Sequence, residues 1–163
     1  MVERDASGPA PLSDEVVELL GSGVVMSVAT RDAALAPELV PGMGSRVGRD
    51  RRTLTVFVPK ELAAQTLANI AHNGQLAVTL TRPSDHKSLQ IKGGTRGVRD
   101  ATDGDRPSLE LLRGAMIEQL ASFGMPRAIT RRLTWWPGVA IDIDVSEVFV
   151  QTPGPGAGRP LAR

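Results

Sequence analysis

The segment from Val139 to Val150 constrains the fold of this chain more than any other. Val139, Ile141, Ile143 and Val145 alternate with Ala140, Asp142, Asp144 and Ser146, and the apolar parity then switches to Val148 and Val150. Successive strand side chains point to opposite faces, so a strand whose apolar set changes parity must carry an extra residue or a sharp bend. Strands that bend in this way belong to barrels and orthogonal sheets.

The other apolar segments extend that expectation. Val24 to Ala29 and Leu76 to Leu80 read as strands, and Leu54 to Val58 alternates as a half-buried strand should. Glu38 to Val47 reads as one extended segment, an edge or bulged strand, because Pro41, Gly42 and Gly44 interrupt it. Lys87 to Arg99 reads as a long strand whose Gly93 and Gly94 mark a bulge or a close approach to the backbone. Ser13 is placed to cap a short helix, with Leu12 and Val17 at the positions of a hydrophobic staple. Leu62 to Asn73 has helical spacing and a Gly74 stop, and Leu109, Leu112, Met116, Leu120 and Phe123 form a helical stripe that Pro126 closes. Strands joined by short connections, with one or two inserted helices, predict a mainly β, α+β fold: an antiparallel barrel of six strands with helices on its outside.

Length and composition bound the function. A chain of 163 residues predicts one domain, taken as 12–152, between a flexible tail at 1–11 and a Gly- and Pro-rich tail at 153–163. The chain has no Cys and two His, which excludes disulfides, thiol nucleophiles and thiolate metal sites; no metal is expected. Lys plus Arg is 19 against 18 for Asp plus Glu, so nothing draws the chain to nucleic acid or to a membrane surface. No apolar run is long enough to span a bilayer and the first residues do not form a signal peptide, so the expected compartment is a reducing cytoplasm. With three Phe, two Trp and no Tyr, the core must be aliphatic.

Few constellations suggest chemistry. Ser84, Asp85 and His86 are sequence neighbours whose side chains diverge, which reads as a turn and not a triad. Gly42, Gly44 and Gly48 precede a strand and so do not form a dinucleotide loop. Asp142 with Asp144, and the clusters Arg46, Arg49, Arg51, Arg52 and Arg127, Arg131, Arg132, read as solvated faces. The row Ser88, Gln90 and Lys92 beside the paired glycines is donor-rich and suits either a planar, acceptor-rich ligand such as a flavin or water.

The runs VVMSVATRDAALAPELVPGMGSRV, TLTVFVPKELAAQTLANIAHNGQLAVTL and HKSLQIKGGTRGV, in that order, resemble the pyridoxamine 5′-phosphate oxidase-related FMN-binding split-barrel family over about residues 12 to 152. The resemblance implies a split β-barrel and a homodimer with FMN in the groove between two copies. It places flavin-ring contacts at Pro41, Gly42, Met43 and Gly44 and at Phe57, Val58 and Pro59; the donor row read from the residues adds Ser88 and Gln90, with Lys87 beside them, as further expected cofactor contacts. Trp135 and Trp136 fall on the substrate side. The family's phosphate-binding Arg-Lys pair falls on Gln65 and Thr66, which carry no charge, so either Lys60, Arg46 or Lys87 compensates or the ligand is a deazaflavin or haem. No His follows His86, so the chain resembles the broad family and not the oxidase itself. The implied activity is that of a flavin-dependent oxidoreductase taking a small-molecule substrate and a nicotinamide donor; the alternative is a protein that binds the flavin without turnover.

Overall fold

Ser13 opens the first helix, α1 (Asp14–Gly21), as its context predicts: its hydroxyl accepts the Val16 N–H at 3.4 Å. This belongs to a computed structural model that describes residues 11–161. The staple residues Leu12 and Val17 both pack on the main core.

Seven strands follow among the described residues: β1 (Val25–Arg31), β2 (Pro37–Pro41), β3 (Gly44–Val47), β4 (Thr53–Pro59), β5 (Gln75–Thr81), β6 (Ser88–Asp100) and β7 (Gly138–Val150). They form a single antiparallel sheet in the order β2-β1-β5-β6-β7-β4-β3. The expected six strands are therefore corrected to seven, because the Glu38 to Val47 segment divides in two. Its halves pair with opposite ends of the sheet, β2 with β1 and β3 with β4. Gly42 and Met43 alone link these two edges: Gly42 N–H donates to the Met26 carbonyl at 2.8 Å and Met43 N–H to the Phe57 carbonyl at 2.7 Å. A two-residue corner thus draws the edges of the curled sheet together. Gly42 is required there, since a Cβ would lie 2.5 Å from Met26 Cγ, and Gly44 has φ +148°.

The parity switch is a bulge, as expected. Lys92 pairs with Glu147 but Gly93 pairs with Val145, leaving Ser146 as the extra residue. Gly93 passes so close that a Cβ would meet the Asp144 carbonyl oxygen. Beyond the strand, the Gly- and Pro-rich segment folds back: Val150 N–H donates to Arg159 at 2.9 Å, Leu161 N–H donates to Val148 at 2.7 Å, and Leu161 packs on the core. The expected tail at 1–11 lies, Pro11 apart, outside the described residues.

The barrel interior is aliphatic, built from Leu54, Val56, Val58, Val78, Leu80, Ile91, Ile141 and Ile143, all inaccessible to solvent. The helix α2 (Ala64–Asn73) ends where predicted, on Gly74 in the left-handed conformation at φ +67°, and packs Leu67 and Ile70 on this core. The outer face of β4 and β7 carries a second cluster of Met43, Phe57, Leu109 and Ala140 beside both tryptophans. The long helix α3 (Arg106–Ser122) covers it, followed by the short α4 (Arg127–Thr130). Two contacts hold α3 in place. A Cβ on Gly23 would overlap the backbone of Ala115, and Asp105, buried at the start of the helix, accepts from Arg46 at 2.8 Å, Arg99 at 2.7 Å and Thr102 N–H at 2.9 Å. Arg99 foremost, then Thr102 and Arg46, hold the Asp105 carboxyl well below the usual carboxylate range against the opposing effect of burial.

Candidate functional site

The corner and α3 enclose a cleft of about 270 Å³. Pro41, Gly42 and Met43 form one wall and Pro59 lies beside them; Met116 and Leu120 of α3 and the loop residues Leu133 and Trp135 face them. Arg113 is the one charged residue lining it. Its guanidinium lies 4.9 Å from the centre of the Trp135 ring and donates to the Arg131 carbonyl at 2.6 Å. Trp135 Nε1, buried, finds no acceptor among the described residues. An indole N–H normally finds one when buried, so this donor is available to a ligand or to a small rearrangement.

Of the residues singled out from sequence, Pro41, Gly42, Met43, Pro59 and Trp135 meet in this cleft. Gly44 stands one step away under Leu112. Phe57 is buried in the outer cluster with Arg46 5.8 Å from its ring, and Val58 points into the barrel. Trp136 stacks obliquely on Trp135 at 5.8 Å. Lys87 pairs with Glu15 at 2.6 Å, Ser88 bonds Thr81 and the Thr152 hydroxyl, and Gln90 donates to Thr79, so these three are not brought to the cleft.

Gln65 and Thr66 are also elsewhere, in a closed polar network. Gln65 donates to Asn69 at 2.8 Å, Asn69 to the Thr30 hydroxyl at 2.9 Å, and Thr30 and Thr66 both donate to Glu38 Oε2, at 3.3 and 3.0 Å. Thr66, Asn69 and Thr30 are buried. A phosphate brought to Thr66 would meet the Glu38 carboxylate at hydrogen-bonding distance, where like charges repel strongly. The cations that could compensate are taken: Lys60 by Asp100 at 2.8 Å, Arg46 by Asp105 and Lys87 by Glu15. These residues do not fit the FMN phosphate. Glu38 was not legible as a site residue, since it sits in a short edge strand with no motif around it; Arg113 shares the face of Leu109, Met116 and Leu120, and no motif around it marked it out.

The remaining constellations are structural. Asp85 accepts from Arg82 at 2.6 Å, which with the Lys87 N–H lowers its pKa to about 2, and His86 packs edge-on against Phe123. Asp142 accepts from Thr55 at 2.6 Å, Arg127 pairs with Glu118, and no cluster that could hold a metal occurs among the described residues. A second, open groove of about 570 Å³ runs beside Gly93 and Gly94, with Arg31, Lys92 and Glu147 on its walls. No helix among the described residues is long and apolar enough to cross a membrane.

No family model and no curated protein matches the sequence. Solved structures do match. A candidate pyridoxamine 5′-phosphate oxidase from Lactobacillus delbrueckii superposes with a TM-score of 0.54 at 15% identity, over 85% of this chain and 93% of that one. HupZ of Group A Streptococcus does so with 0.53 at 20% identity, over 90% and 99%. An F420 reductase gives 0.54 at 16% identity, over 84% and 98%. The structural neighbours are pyridoxamine 5′-phosphate oxidase-like and general stress protein 26-like split barrels, and the chain shares their fold.

Proposed function

We propose that the cleft seats the planar ring of a flavin-type cofactor, and that the chain is a flavin-type oxidoreductase acting on a small molecule. The observation that carries this reading is the convergence of the Pro41–Gly42–Met43 corner with Pro59 and Trp135 around one apolar space. Ligand pockets usually measure about 300–1,000 Å³, so about 270 Å³ suits a ring system better than a whole nucleotide. The rest of the cofactor then lies outside this chain's cleft, which favours a second copy as partner. When bound, such a cofactor supplies hydride and electron transfer of its own. The chain's residues hold and orient the ring: the corner backbone against one side, Trp135 beside it, and the apolar walls excluding water.

FMN is the cofactor the family resemblance implies and a deazaflavin the alternative. The second is favoured by Gln65 and Thr66, which present no cation, Thr66 being bonded to Glu38, and by the F420 reductase among the neighbours of this fold. Haem is disfavoured, because His72 and His86 are both exposed and neither lines the cleft.

Titration of the protein with FMN, with deazaflavin and with haemin, followed by absorption and by Trp emission, tests the reading. Saturable quenching of one flavin-type ligand that is lost in Trp135→Leu is expected. No change with either flavin up to about 100 µM would sink it. Reduction of the bound cofactor by a nicotinamide donor, and its reoxidation by an added acceptor, would distinguish an oxidoreductase from a binding protein.

A further inference from the structure

We propose that Arg113 recognises an anionic substituent, so that the cleft takes flat apolar molecules carrying a carboxylate, sulfonate or phosphate. This rests on the same cleft as the flavin reading but not on the ligand being a flavin.

Charge accounting leads to it. Arg46, Arg51, Arg82, Arg96, Arg99, Arg106 and Arg127 each have a carboxylate within 4 Å; Arg113, like Arg31, Arg49, Arg131, Arg132 and Arg159, has none among the described residues, and of these it alone lines the cleft. The acids on its own helix are engaged, Glu110 with Arg106 at 3.0 Å and Glu118 with Arg127 at 2.6 Å. Across the cleft, Thr134 donates to Glu61. A guanidinium has five N–H donors, and the Arg131 carbonyl takes one of Arg113's. A second cation stands close by: Arg106 lies 5.9 Å from the same Trp135 ring.

Geometry fixes that cation in place. The Trp135 face at 4.9 Å orients the guanidinium, and α3 is seated by the Gly23–Ala115 contact and by Asp105. A guanidinium held on an aromatic face binds anions through charge-assisted, often paired hydrogen bonds. The alternative anion seat at α2 is closed by Glu38. An anionic ligand in the cleft therefore has Arg113 as its counter-charge.

The test compares two dyes with the same aromatic frame on the full chain: 1-anilinonaphthalene-8-sulfonate, an anion, and N-phenyl-1-naphthylamine, which is neutral. Binding is read by energy transfer from the tryptophans. Arg113→Gln is expected to weaken the sulfonate about tenfold and the neutral dye by less than about twofold. Arg113→Lys, which keeps the charge, should recover most of the loss, and added salt should weaken the sulfonate on the unaltered chain and on Arg113→Lys but not on Arg113→Gln. Equal weakening of both dyes would make Arg113 a packing residue, and no weakening of either, or no sulfonate binding to the unaltered chain, would equally overturn the proposal. FMN and riboflavin form a second pair. If neither flavin binds while the dyes behave as expected, the flavin reading falls and the anion site stands; if both flavins bind and Arg113→Gln moves neither pair, the reverse holds.

Discussion

The amino end of α2 and the cleft under α3 are neighbouring regions of one barrel, Leu62 of the cleft standing two residues before Ala64, and they handle polarity in opposite ways. At α2, the side chains of Gln65, Asn69, Thr30, Thr66 and Glu38 complete one another. In the cleft, among the described residues, buried Trp135 Nε1 has no acceptor and half-buried Arg113 no carboxylate. Buried polar groups left incomplete cost stability, so they persist mainly where something else completes them. The difference shifts attention from the helix that a family resemblance indicates to one that the alignment of motifs passes over.

The comparison is easiest to break through Asp105, which ties α3 to β3 and β6. Asp105→Ala leaves Arg46 and Arg99 without their shared carboxylate and should cost about 2–3 kcal/mol, less than a fully buried pair because both arginines are partly exposed. Loss of sulfonate-dye binding should accompany it, while hydrogen exchange of the α2 amides stays slow. Loss of α2 protection in parallel would show that the two regions are not independent. The same residue sets an acid limb. Its folded pKa lies below the ordinary carboxylate value of about 4, so its contribution is complete above that value and is lost as pH falls through the folded pKa. Urea unfolding from pH 7 down to acid should show this loss, and Asp105→Asn should flatten it.

Asn69→Leu comes next. It removes the group that both accepts from Gln65 and donates to buried Thr30, and should cost about 2 kcal/mol by leaving those partners unpaired. Dye binding in the cleft should not change. Gly42→Ala should cost about 1–2 kcal/mol by overpacking against Met26, and it should also narrow the cleft, lowering affinity for charged and neutral dyes alike.

What the sequence disclosed follows the range of each interaction. The β7 bulge, the Ser13 cap and the Gly74 stop depend on period and on neighbours within a few residues, and all three were legible. The division of the Glu38 to Val47 segment was not, because its halves are assigned by pairing with β1 and β4, and nothing local states which edge each half joins. The candidate site divides in the same way. The corner residues were legible from their Pro-Gly pattern, whereas Glu38 meets Thr66 across 28 positions and Arg46 meets Asp105 across 59. Contacts of that reach leave no trace in one sequence beyond residue types that suit many surroundings.

The smallest expected effect is the sharpest. Gln65→Arg restores a cation at the place where the resemblance puts a phosphate ligand, and if the α2 end were an open phosphate seat, FMN should bind about tenfold more tightly while riboflavin did not change. The structure predicts less than about a twofold change for either ligand. The carboxylate that Thr30 and Thr66 hold at this helix end opposes a phosphate there and competes with it for an arginine at 65. The double variant Glu38→Gln with Gln65→Arg removes that competitor and should then gain affinity for FMN over riboflavin. A tenfold gain from Gln65→Arg alone would place the phosphate at α2 despite Glu38, and the contrast between a closed polar region and an open cleft would no longer separate the two helices.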